Sequence, residues 1–246
     1  MTFKSGTNKR SKIALIDAAG FASPPHFFVM MSRQRPFRSV TRSKATAQAS
    51  YDRLSRCYDW LAASERPFRE AGAHLLHVQS GEQVLELGCG TGTVLPPLQQ
   101  AAAPGQVIGL DLSAGMLQVA QRRLGFPVAF VQADAAQLPF AAARFDAVLM
   151  SFTLELFDTP EIPVVLAEVR RVLGRNGRFA TVTLAQQNSF AVHLYEWFHD
   201  KLPNWVDCRP IPTDTLLTEA GFHIVTHQRR KLWGLPVDII LAQTHA

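Results

Sequence analysis

The chain has 246 residues, is 47% hydrophobic and 18% charged, and carries a formal charge of +5; no apolar run reaches the ~18 residues of a spanning helix, which leaves one large domain or a domain with an extension. Cys57, Cys89 and Cys208 stand far apart with no Cys-x-x-Cys pair, which argues against a disulfide framework or a zinc knuckle and for a reducing cytoplasm. The first 50 residues hold nine Lys or Arg against Asp17 alone, so they carry +8 and the remainder −3; a basic nucleic-acid face on the folded part is not expected.

Residues 1–44 show little periodicity and a Pro24-Pro25 pair, and are expected to form a disordered basic leader, with an internal start site offered at Met30-Met31. Such a leader would add affinity for an anionic membrane surface. The domain is expected over residues 45–246. It opens with an amphipathic helix over 46–63, where Tyr51, Leu54, Tyr58 and Leu61 recur every three or four residues, and a second helix over 66–78. Short apolar runs at 83–87, 106–110, 128–132, 145–150 and 178–184 then alternate with helical patterns at 93–103, 114–123 and 161–173. Ser113 reads as the cap of the second of these helices, Thr159-Pro160-Glu161 as the start of the third, and Asn176-Gly177 as the turn into the fifth strand. The tail adds a helix over 213–220 and two strands, 222–228 and 235–242, joined closely enough for a hairpin. This rhythm predicts an α/β, doubly wound, mostly parallel seven-stranded sheet with an antiparallel C-terminal strand.

The first strand runs into "VLELGCGTG", with glycines at 88, 90 and 92. A phosphate-binding P-loop needs a Gly-Lys-Ser/Thr ending that is missing after Gly92, and the dinucleotide fingerprint needs its third glycine one residue later. S-adenosylmethionine, which has no phosphate, fits better. Gly88, Gly90 and Gly92 would let the backbone lie against it, and Glu86 would meet its ammonium group. Asp111, closing "VIGLD", would accept the ribose hydroxyl protons, while Asp134 and the Ala135 N–H in "VQADAAQLPF" would take the adenine.

These segments, with "FDAVLMSFTLELF" and "EVRRVLGRNGRF", fall in the order found in class I S-adenosylmethionine-dependent methyltransferases, which the block from Val84 to Leu184 resembles. Within that superfamily it is similar to the small-molecule branch that includes ubiquinone and menaquinone C-methyltransferases and phospholipid N-methyltransferases. "SYDRLSRCYDWL" resembles their leading helix, which implies that Tyr51 closes over the methionine end of the cofactor. The resemblance implies the Rossmann-like methyltransferase fold. "GRNGRF" departs from the family's usual Lys-Pro-Gly-Gly turn.

For the acceptor, Thr153 and Glu155 follow the fourth strand, where they would orient or deprotonate it. The segment 188–211, dense in rings, is expected to form a lid in which His193, Tyr195 and Trp197 bind the acceptor and His199 is a second candidate base. The spacing of His193 and His199, and the placing of His223 and His227 on a strand without an acidic cluster, predict no metal. The expected acceptor is a small, apolar or aromatic molecule such as a quinone precursor; a phospholipid headgroup amine, and a cofactor-binding protein without transferase activity, are the alternatives.

Overall fold

The computed structural model describes Asp52, Val192, Tyr195 and residues 63–125, 128–187 and 208–244. The leader, the expected helix over 46–63 apart from Asp52, and most of the 188–211 segment, with Tyr51, His193, Trp197 and His199, lie outside the described residues.

A 3-10 turn (Ala63–Glu65) leads into α1 (Arg66–Leu75), β1 (Gln83–Leu87), α2 (Leu95–Ala102), β2 (Gln106–Asp111), α3 (Ala114–Arg123) and β3 (Ala129–Gln132). Then come β4 (Phe145–Ser151), a second 3-10 turn (Leu154–Leu156), α4 (Ile162–Val172), β5 (Leu173–Leu184), α5 (Thr213–Glu219), β6 (Phe222–Leu232) and β7 (Leu235–Thr244). The seven strands form one sheet in the order β3-β2-β1-β4-β5-β7-β6. Strands β1 to β5 pair in parallel, and β7 runs antiparallel to both β5 and β6. The chain winds outward from β1 to β3, then returns to lay β4 on the other side of β1. Ligands of open α/β sheets bind at the carboxyl ends of the strands beside such a reversal.

Burial explains the strand compositions. In β7 residues 235–242 are all buried, because neighbours flank it on both edges and helices or loops cover both faces. Edge strand β6 alternates exposed and half-buried positions and carries charge, which blunts an open edge. Helix α1 packs closely on β4 and β5 through Gly72, where a Cβ would stand 2.6 Å from Val182 Cγ2. One core cluster, including Leu85, Ile162, Leu166, Phe179 and Ile240, lies under α4 and α5. Another, including Val84, Leu95, Leu98 and Leu149, lies under α1 and α2. A third joins Phe68, Phe152, Leu184, Leu232 and Leu235 at the carboxyl end of β5.

Most element boundaries follow the expected chemistry. Ser113 caps α3, its Oγ accepting the Met116 N–H at 3.1 Å. Some boundaries differ, among them the end of α1, which stops at Leu75 rather than at 78. Helix α4 starts at Ile162 with Pro163 in its first turn, and Thr159 instead accepts a hydrogen bond from Arg209 Nη1 at 3.2 Å. Strand β5 starts at Leu173 rather than 178, because Leu173 already pairs with Phe145, and Asn176, at φ +58°, kinks the strand internally. Strand β6 runs to Leu232, so Trp233 and Gly234, at φ +49° and +85°, make a two-residue hairpin turn with both positions left-handed. Among the described residues no helix is long and apolar enough to cross a membrane.

Candidate active site

The end of β1 carries the most exceptional group. Glu86 is 2% exposed, and its Oε2 has no hydrogen-bond partner. Burial pushes its pKa up to about 8; the positive charge of Arg69 opposes this and the negative charge of Asp111 adds to it. A buried carboxyl with an open oxygen is costly, and a cationic ligand group beside it would relieve that cost. The ammonium of S-adenosylmethionine fits this position.

The three glycines after it have left-handed φ values of +66°, +54° and +75°. Their missing side chains serve different ends. A Cβ on Gly88 would collide with the Thr153 side chain, whereas one on Gly92 would meet Ala120 and Leu95 in the protein interior, at 3.1 and 3.2 Å. The space that Gly92 leaves open therefore serves helix packing and the turn. The loop is pinned to β2: Cys89 N–H donates to Leu110 O at 3.0 Å and Gly90 N–H to Asp111 Oδ2 at 2.8 Å. Arg123 on α3 donates to the Thr91 carbonyl and hydroxyl. Cys89 is buried, and burial pushes its thiol pKa well above the ordinary range, so it is a packing residue and no nucleophile.

At the end of β2, each Asp111 oxygen accepts one backbone N–H at 2.8 Å, from Gly90 and from Ser113. Burial raises its pKa, while these same hydrogen bonds pull it down. A carboxylate has about four acceptor sites, more than these bonds and the weaker one from the Leu112 N–H fill, so it is oriented and still able to accept hydroxyl protons. Asp52 reaches this place from the leading segment: it accepts the Ser113 hydroxyl proton and, at 2.9 Å, the Gly115 N–H. It directly follows Tyr51 in the chain. Past β3, Asp134 Oδ1 accepts the Ala136 N–H at 2.9 Å, and the Ala135 side chain is buried in the cluster under α4. What Ala135 can offer a ligand is main chain.

Strand β4 ends in a strained turn. Phe152 is buried with φ +51°, a conformation rarely adopted by a bulky residue and common at functional sites. Its ring meets Phe68 edge-on, centroids 6.4 Å apart, and the Arg69 guanidinium lies 5.7 Å from its centre. Arg69 is 6% exposed, pairs with Glu65 at 2.6 Å, and lowers the pKa of Glu86, Asp111 and Glu155. Sequence reasoning missed it, because an arginine on an amphipathic helix reads as solvated. The available signal was Glu65 four residues before it, beside Phe68.

Thr153 donates to Ser151 O at 3.0 Å and presses on Gly88, so the structure places it with the glycine loop. Glu155 is fully buried; its Oε1 accepts the Leu184 N–H at 3.2 Å, and Oε2 has no partner. The β4–β5 ladder ends with Phe152 N–H on Val182 O, and the Glu155 carboxyl takes the next inward N–H of β5. Burial pushes its pKa up to about 8.

From the 188–211 segment, Tyr195 packs on the third core cluster and donates its hydroxyl to Cys208 O at 3.0 Å. Arg209, which sequence reasoning did not single out as a site residue, is buried and donates to Phe157 O at 2.6 Å, tying the end of this segment to the loop after β4. Thr183 on β5 and Thr213 at the start of α5 share a hydrogen bond between their buried hydroxyls. His227 lies on edge strand β6, its Nε2 2.8 Å from Asp238 Oδ1. Among the described residues no group of three or more His, Cys, Asp or Glu could hold a metal ion.

Residues 84–177 match the model of a methyltransferase domain family. The chain is 33% identical over 172 residues to a demethylmenaquinone methyltransferase of Thermotoga maritima, covering 67% of this chain and 72% of that one. It is 30% identical over 167 residues to a 2-phytyl-1,4-naphtoquinone methyltransferase of Trichormus variabilis, covering 63% and 72%. Among solved structures, magnesium protoporphyrin IX methyltransferase of Synechocystis with bound SAH superposes with a TM-score of 0.60 at 19% identity, over 74% of this chain and 84% of that one.

Proposed function

Because this chain belongs to the class I S-adenosylmethionine-dependent methyltransferases and is similar to quinone methyltransferases, we propose that its acceptor is a small, apolar, aromatic molecule of the quinone-precursor kind. The observation that carries this reading is the third core cluster. Phe68, Phe152, Leu184, Tyr195, Leu232 and Leu235 gather apolar surface at the carboxyl edge of β5, on the same edge of the sheet as Glu86 and Asp111. Both quinone-acting relatives support it by name.

Bound S-adenosylmethionine supplies an electrophilic methyl group on a sulfonium. In this reading Glu86 holds the ammonium, Asp111 the ribose hydroxyls, and Asp134 with the Ala135 main chain the adenine; Gly88 and Gly90 bring backbone close. The apolar cluster excludes water and orients the acceptor ring, which is most of what an in-line methyl transfer asks of a protein. A ring carbon or hydroxyl must also lose a proton. Glu155 is the described candidate to receive it: burial raises its pKa to about 8, so the acid form dominates at neutral pH and the ionised fraction, which grows as the pH nears 8, is the stronger base. His193, Trp197 and His199 keep their proposed roles in the lid.

Incubation with methyl-labelled S-adenosylmethionine and separate demethylated naphthoquinol, phosphatidylethanolamine and no-acceptor controls tests the reading. Label in the quinol fraction is expected. Label in the lipid amine would replace the acceptor class, and cofactor binding without any product would leave a binding protein. Glu155→Gln should lose turnover at retained acceptor affinity; unchanged turnover would remove it as the base.

A further inference from the structure

The β6–β7 turn combines two unfavourable choices. Trp233 is 79% exposed, against 49% and 47% for Val164 and Val225, the other exposed large hydrophobics among the described residues. It also has φ +49°, a place in a two-residue hairpin turn that Asn, Asp and Gly ordinarily fill. A bulky side chain there strains the backbone, and a solvated indole gains nothing from burial. The fold does not ask for the indole: Leu232 and Leu235 on either side are already buried against Phe68, Phe152 and Leu184. Ahead of the tip, Arg230 and Lys231 are both exposed. Arg229 is held by the buried Asp238 carboxylate at 2.7 and 2.8 Å, and no other acid falls between residues 228 and 238. Val237 pairs with Leu184, so the turn stands beyond the carboxyl end of β5, on the edge of the sheet that carries Glu86 and Asp111.

We propose that the β6–β7 turn is a membrane-docking element that seats the carboxyl edge of the sheet on an anionic lipid surface. Indole rings favour the boundary between headgroups and acyl chains, and arginine and lysine beside them are drawn to lipid phosphates. Arg230 and Lys231 supply the charge, and Trp233 the inserted ring. The inference rests on the proposed apolar acceptor for its purpose, which is to place the site mouth where such a molecule resides.

The full chain is sedimented with phosphatidylcholine vesicles and with vesicles of phosphatidylcholine and phosphatidylglycerol, at low salt, with neither cofactor nor acceptor present. Three proteins are compared: the parent, Trp233→Asn, and Arg230→Glu with Lys231→Glu. The parent should bind the anionic vesicles, and both variants should bind them at least fivefold more weakly. Cofactor affinity in solution should be unchanged in both. Because asparagine suits the left-handed turn, Trp233→Asn should melt no lower than the parent. Parent that stays with neither vesicle, or variants that bind as the parent does, would overturn the proposal. So would an earlier melting Trp233→Asn, which would make the indole a packing group, or a parent that retards duplex DNA while ignoring vesicles. No acceptor enters this assay, so a failure of the quinone reading leaves its result standing.

Discussion

The two halves of the sheet are built on different terms. In β1 to β3 the strands are four to six residues long and parallel, and the acids at the ends of β2 and β3 accept backbone N–H groups of nearby loops, Asp111 from Gly90 and Ser113 and Asp134 from Ala136. In β5 to β7 they are ten to twelve residues long, antiparallel about β7, and end in apolar and aromatic side chains. The first half is fixed by hydrogen-bond geometry and the second by packing. A ligand with a set pattern of donors and acceptors suits the first, and one recognised by shape suits the second. Damage to either half should therefore show in a different binding constant.

The harshest break is Gly88→Val. A β-branched residue at φ +66° is strained, and its Cβ would strike Thr153. Cofactor affinity should fall by about a hundredfold or more, some 2.7 kcal/mol, as read by calorimetry on protein shown folded by circular dichroism. Normal affinity would mean that the loop is not in the cofactor site.

Asp111→Ala comes next. It removes the acceptor for the Gly90 and Ser113 N–H groups as well as for the ligand hydroxyls, so cofactor binding should weaken by roughly 1.5 to 3 kcal/mol with a modest fall in melting temperature. A folded variant with the parent's dissociation constant would take Asp111 out of the site.

The pH response sharpens the contrast through the two carboxyls pushed furthest up: Glu86 in the first half, beside the less exceptional Asp111, and Glu155 at the border with the second. With pKa values raised from about 4.5 to about 8, each holds a proton in the folded chain that the unfolded chain has released. Their contribution is thus full below pH 4.5, declines as the pH climbs toward 8, and is level above it. Glu86→Gln and Glu155→Gln should each flatten the decline and be more stable than the parent at pH 8, by on the order of 1 to 2 kcal/mol. The variants should then part. Cofactor affinity of the parent should strengthen as the pH rises toward 8, since the ammonium prefers ionised Glu86; Glu86→Gln should lose that trend and Glu155→Gln keep it.

Much of the first half was legible because its cues are local. Ser113 caps α3 where the pattern placed it, and the acids mark the three strand ends closely: Glu86 next to last in β1, Asp111 closing β2 and Asp134 two residues past β3. The second half hides its logic in long-range pairing. That β5 begins at Leu173 depends on Phe145, 28 positions earlier, and Asn176-Gly177 looked like a turn because its backbone is one, set inside a strand. Arg69 and Arg209 were missed for the same reason: what buries them is Phe152, Phe157 and Thr159, none of them near in sequence. Glu155 was found, but its bond to Leu184 was not, because only the finished sheet shows where the ladder runs out of backbone acceptors.

The mildest test lies wholly in the second half. Tyr195 packs its ring on the third cluster and donates its hydroxyl to Cys208 O, so it joins two points of the segment that would cover the acceptor. Tyr195→Phe keeps the packing and loses the bond, which should cost about 1 kcal/mol of stability. Tyr195→Ala loses both, and should raise the acceptor's KM more than it lowers kcat, since a group that shapes the binding surface acts on ground and transition states alike. In either variant S-adenosylmethionine affinity should stay within about 0.5 kcal/mol of the parent, as expected for sites with no shared partner. Parallel loss of cofactor and acceptor binding in folded Tyr195→Ala would show that the two halves are one coupled surface, and the division drawn between hydrogen-bond geometry and packing would fail at its border.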